Sequence, residues 1–216
     1  MLTRARVVVL AFAALSLAAC SSIHPGDAAV VDGQAISMAT FDRSARLLCD
    51  VSLREAASQG QSALPNEQVR RQAIVNLVSV IVARDLAKQK GVTPDKALYE
   101  LPPSQVADIA KAYPDDEDAK AVESIYEDFN EVIAIAIGLG AQSTGLTRSD
   151  ENQEQLITEG QAAIQKAFKD HDVTFAPRFG LSGSLKDLGP SGSISVPEVS
   201  VDASTDKELP PAQRCA

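Results

Sequence analysis

Apolar residues along this chain recur mostly at three- and four-residue spacing, the signature of helices with one buried side, and give way near both ends to short alternating runs. Residues 28–36, AAVVDGQAI, read as a strand whose Asp32-Gly33 makes a tight hairpin-like turn or a bend. Ser37 or Thr40 then caps a helix from near Phe41 to about Ser58, with Phe41, Ala45, Leu48, Cys49, Val51 and Leu53 inward and Gly60 beyond its end. A second helix, capped by Asn66, carries Val69, Ala73, Leu77, Val80 and Ile81 on one stripe as far as Leu86 and stops at Gly91. Val92-Thr93-Pro94-Asp95 starts a further short helix, broken by Pro102-Pro103, and Ser104 caps another that ends at Pro114.

Asp115 to Asp118 place negative charge at the start of a long helix, where it complements the dipole, and Val122, Ile125, Phe129, Val132, Ile133 and Ala136 form its stripe. Gly138 to Ser149, rich in Gly, Ser and Thr, predicts an internal break. The next helix extends from about Asp150 to Asp170 with Leu156, Ala163, Ile164, Ala167 and Phe168 on one face. Val173 to Ala176 alternates like a strand and is stopped by Pro177 and Gly180. Residues 181–216 are polar and rich in Gly, Ser and Pro, the composition of a mobile tail, with one strand signal at Ile194 to Val196.

One apolar run does not belong to this domain. Val7 to Leu17 follows Arg4 and Arg6 and is too short for a helix spanning roughly 30 Å of hydrocarbon, so residues 1–19 read as a cleaved secretion signal. Leu17-Ala18-Ala19-Cys20 resembles the bacterial lipobox, whose cysteine accepts diacylglycerol and becomes the new N-terminus. Lipidation at Cys20 on the outer face of a bacterial membrane is the expectation, with residues 20–27 as the tether.

Charge and cysteines narrow the partners. Removing residues 1–19 takes two of 20 basic residues and none of 29 acidic ones, leaving a formal charge of −11. Such a surface repels phosphate backbones, so nucleic acid is excluded as an expected partner. Trp is absent, and residues 28–180 are long enough for one core built from Ala, Val, Leu and Ile. With Cys20 lipidated, Cys49 and Cys215 remain, either bridged or as a buried free thiol and a pendent one.

The opening VVDGQAIS, the helix with Arg70-Arg71-Gln72-Ala73, Leu77 and Leu86, the Gly91-Val92-Thr93 turn and the closing VTFAPRFG together resemble the SurA-type chaperone domain over about residues 28–180. The resemblance implies a mainly α, multi-helix domain of the SurA and trigger-factor kind, with Ala29–Ile36 paired to Val173–Arg178. Catalytic relatives insert a parvulin domain before the closing helix; here Gly138 to Ser149 stands in that place, so prolyl isomerase activity is not expected.

Other chemistry has little to stand on. The chain has two histidines, His24 in the tether and His171 in a capping position after a charged helix end, and no CxxC or HExxH. No metal, cofactor or catalytic residue is assigned: Asp115 to Asp118 read as a helix cap, Gly138-Leu139-Gly140 lacks a preceding buried strand, and Gly180-Leu181-Ser182-Gly183 lacks a following helix. The expected function is ATP-independent binding of unfolded or extended exported polypeptides. The alternative is a scaffold that holds one specific cell-envelope protein.

Overall fold

The computed structural model describes residues 23–58, 64–186 and 214–215. Among them, five helices and five short strands run in the order β1 (Asp27–Val31), β2 (Gln34–Ser37), α1 (Met38–Ser58), β3 (Leu64–Pro65), α2 (Asn66–Lys90), α3 (Pro103–Ala112), α4 (Asp116–Thr144), α5 (Gln153–Ala167), β4 (Val173–Phe175) and β5 (Arg214–Cys215). The fold is thus mainly helical with a small antiparallel sheet. The signal segment 1–19, Cys20, Gly60 and the strand signal at Ile194 to Val196 lie outside the described residues.

β1 lies between β2 and β4, antiparallel to both. Asp32 and Gly33 take φ of 49° and 84°, the two positive values that a two-residue hairpin turn of matching twist requires, so AAVVDGQAI is two strands. β1 meets β4 at Ala29–Phe175, Val30–Thr174 and Val31–Val173, joining the two ends of the domain. β4 stops at Phe175, short of the expected Arg178, where Pro177 opens a single 3-10 turn because proline cannot donate to a ladder.

Several expected helix boundaries move. Ser37 caps α1, its Oγ accepting the Thr40 N–H at 3.0 Å, and the helix begins at Met38. Asn66 is the first residue of α2 rather than its cap; Pro65 holds the cap position without a side-chain hydrogen bond. The segment after Gly91 forms one 3-10 turn, Lys96–Leu98, capped by Asp95, and α3 opens on Pro103 rather than on a Ser104 cap. Asp115 caps α4 by accepting the Asp118 N–H at 2.9 Å.

The largest difference is at Gly138 to Ser149. α4 continues through Gly138 and Gly140 to Thr144, and the break is confined to residues 145–152, starting at Gly145 with φ 73°. These glycines serve helix packing: a Cβ on Gly140 would lie 2.1 Å from the Leu156 carbonyl oxygen, and one on Gly160 of α5 would lie 1.8 Å from that of Ala136. α4 and α5 accordingly pack more extensively than any other pair of elements.

α2 is the central helix. Ile74, Val78 and Val82 are completely buried beneath the sheet and neighbouring helices, whereas Leu77 and Ile81 of the expected stripe are half-buried. With apolar residues on nearly every side of its middle turns, periodicity could not choose the innermost face. On α1 likewise Leu47 is buried and Leu48 half-buried. A smaller core joins Leu47 and Val51 of α1 to Ile109 of α3 and Ala119 and Val122 of α4.

The tether and the tail both contribute ordered structure among the described residues. Ile23 packs against the main core, and the Asp27 N–H donates to the His24 carbonyl at 3.0 Å, so the end of the tether is folded. Leu181 and Leu185 also pack on the core, in a turn where Ser182 Oγ accepts the Lys186 N–H at 2.9 Å. Arg214 and Cys215 pair with Pro65 and Leu64.

Candidate binding groove

A groove of about 390 Å³ opens where α1, α2, α4 and α5 converge. Ala73, Leu77 and Val80 of α2 face it together with Ile164 of α5 and Phe168 just beyond its end, and Leu48 of α1 closes one side. Ile125, Phe129 and Val132 of α4 supply another wall. These three belong to the stripe read as core, but Phe129 is 57% exposed, one of two large apolar side chains so exposed among the described residues. The stripe exists, and Ile125 and Val132 also pack against the cores, but Phe129 faces the groove instead of another helix.

Polar groups at the groove are mainly neutral. Gln72 and Asn76 stand one helical turn apart on α2, the Gln72 Nε2 donating to Asn76 Oδ1 at 2.6 Å, and Gln161 and Gln165 repeat that spacing on α5. Asp128 is the one charged side chain among the described lining residues, and Arg84 holds it at 2.6 Å while also pairing with Glu131. The groove thus offers apolar area and side-chain amides, the lining of a site that takes neutral, partly apolar ligands.

The predicted site residues fall elsewhere. Cys20 is outside the described residues. Cys49 and Cys215 are joined in a disulfide with Cα atoms 5.5 Å apart, which ties β5 to α1 across 166 residues of sequence. His171, expected in a capping position after the helix end, has a side chain only 6% exposed, with Nδ1 2.5 Å from Asp32 Oδ2 and Nε2 3.8 Å from Asp85 Oδ2. Asp32 also accepts the Asp172 N–H at 2.8 Å, and these bonds, that to His171 foremost, hold its carboxyl below the usual range. The cluster clasps the β1–β2 turn to α2 and to the approach to β4. Asp118, in the acidic first turn of α4, pairs with Arg46 at 2.7 Å and Arg43 at 3.2 Å.

Among the described residues, no group of three or more His, Cys, Asp or Glu side chains is placed to hold a metal ion, and no helix is long and apolar enough to cross a membrane. Nothing in the sequence marks Gln72, Asn76, Gln161 and Gln165 as groove residues. Their only signal was the four-residue spacing of amides on two amphipathic helices, which solvated helix faces share. No protein-family profile, curated protein or solved structure matches the chain.

Proposed function

We propose that this chain is an exported lipoprotein, anchored through Cys20 to the outer face of a bacterial membrane, that holds unfolded or extended polypeptides in its groove without ATP, covalent chemistry or prolyl isomerisation. The observation that carries the reading is the apolar groove with Phe129 exposed at its wall and its one charge already paired. Exposing Phe129 forgoes burial of a large aromatic, which burial in a client complex would recover. An apolar chain segment gains from the floor, while its peptide groups can meet the amides of α2 and α5. The short connection at residues 145–152 is consistent with a binding module that lacks an inserted catalytic domain.

The test is aggregation of a chemically unfolded client with and without the mature protein. The parent should suppress light scattering, and Phe129→Ser should lose most of that effect while retaining the parent's melting temperature. Equal suppression by both proteins would remove the groove from the account. In cell fractionation, Cys20→Ala should shift the protein from the membrane to the soluble fraction; retention at the membrane would refute the anchor. Affinity capture that returned one stoichiometric envelope protein in place of many unfolded clients would favour the scaffold function.

A further inference from the structure

A second pocket, of about 410 Å³, lies beside the disulfide. It is lined by Arg46 and Asp50 of α1, Asn66 and Arg70 from the start of α2, and Arg214 of β5. Among the described lining residues, three guanidinium groups therefore meet one carboxylate, in a chain whose formal net charge is −9. The carboxylate is engaged, Asp50 Oδ2 accepting Arg54 Nε at 3.0 Å. Arg46 commits Nη2 to Asp118, and Arg70 commits Nη2 to Asp42 at 2.7 Å while its guanidinium lies 4.6 Å from the Phe41 ring centroid.

Arg214 differs from these. Its Nε is buried and has no hydrogen-bond partner among the described residues. A buried charged donor without an acceptor is costly, and the planar guanidinium fork matches the oxygens of a carboxylate or phosphate. The positive charges of Arg46 and Arg70 are met by Asp118 and Asp42, so among the described lining residues the unmatched charge is that of Arg214. We propose that this pocket binds an oxyanion, the carboxylate or phosphate group of a small molecule, with Arg214 as principal donor and the remaining N–H groups of Arg46 and Arg70 completing the shell. Arg214 reaches the pocket because the next residue, Cys215, is bonded to Cys49. The site is therefore assembled by the disulfide and belongs to the oxidised chain.

The experiment uses the full mature chain and follows arginine Nε–H resonances during titration with sodium acetate and, separately, sodium phosphate, each against sodium chloride at equal ionic strength. The Arg214 resonance should move and saturate with at least one oxyanion but not with chloride, and the stronger response identifies the preferred group. Arg214→Gln should weaken that binding at least about tenfold, the loss of one charge-assisted hydrogen bond, with the Cys49–Cys215 bridge intact by thiol counting. Reducing the bridge should abolish the response. A resonance that never moves, an effect that chloride reproduces, equal affinity in Arg214→Gln, or full binding by the reduced chain would each overturn the proposal.

Discussion

Replacing Gly160 with alanine puts the contact between α4 and α5 to a direct test. Helix propensity alone favours the substitution by about 1 kcal/mol. The added Cβ, however, would stand 1.8 Å from the Ala136 carbonyl oxygen, whereas real Cβ atoms essentially never come within 3.0 Å of such a neighbour. The obstacle is main chain within a helix, so no side-chain rotation relieves it, and α5 must retreat by about 1 Å, an overpacking change of the kind that costs ~1–3 kcal/mol or more. Retreat also loosens the contacts of Leu156 and Ile164, both buried, and a gap of that size forfeits roughly a quarter to a half of each contact's dispersion energy. The net expectation is a loss of about 2 kcal/mol or more, which at a urea dependence of roughly 2 kcal/mol per molar lowers the unfolding midpoint by about 1 M. Gly138→Ala is the internal comparison: its Cβ meets Val92 Cγ1 at 2.5 Å, a side-chain methyl outside the helix pair that can shift, so the loss there should be distinctly smaller. Urea titrations followed by circular dichroism at 222 nm read both. A Gly160→Ala midpoint at or above the parent's, or one no lower than that of Gly138→Ala, would refute the packing argument. Because α4 and α5 also line the groove, client binding should weaken with Gly160→Ala even where the variant is fully folded.

Two further outcomes follow from the clasp and the bridge. Cys49→Ser removes a cross-link that closes a 166-residue separation and should cost at most about 5 kcal/mol by loop-closure entropy, read as a lower urea midpoint that added reductant does not lower further. Asp32, whose carboxyl is held below its ordinary 3.8 by His171, supplies stability that is present above that value and lost as pH falls through the folded-state value. Melting temperatures measured from neutral to acid pH should therefore fall in the acid range, and Asp32→Asn should be less stable than the parent at neutral pH and lose less on acidification; parallel pH profiles would show that the clasp contributes nothing.

Much of the architecture was legible from local pattern, and the misreadings share a cause. Val173 to Phe175 and a turn or bend at Asp32-Gly33 are legible because alternation and an Asp-Gly pair carry their own geometry, while the split into two paired strands is decided by the fold. Gly138 and Gly140 predict a break because glycine weakens a helix on its own; nothing local announces that the backbone of another helix lies against Gly140. The apolar stripe of α4 is legible too, but not the exposure of Phe129, since periodicity marks which residues share a face and says nothing of what covers it. The amides of the groove and the arginines beside the disulfide carried no usable motif because they come from separate elements.

The sequence by itself determined a mainly helical domain, its acidic charge, the alternating strands near its ends, and the expectation of export and lipidation at Cys20, all of which rest on neighbours along the chain. The tertiary structure decided which face of α2 is innermost, that α4 runs on through its glycines, that Cys49 and Cys215 meet, and that Phe129 borders an open groove while Arg214 enters a pocket. The division follows from range: turn chemistry and periodicity act over a few residues, whereas burial, a bridge across 166 residues and a groove shared by four helices depend on which distant segments the whole fold brings together.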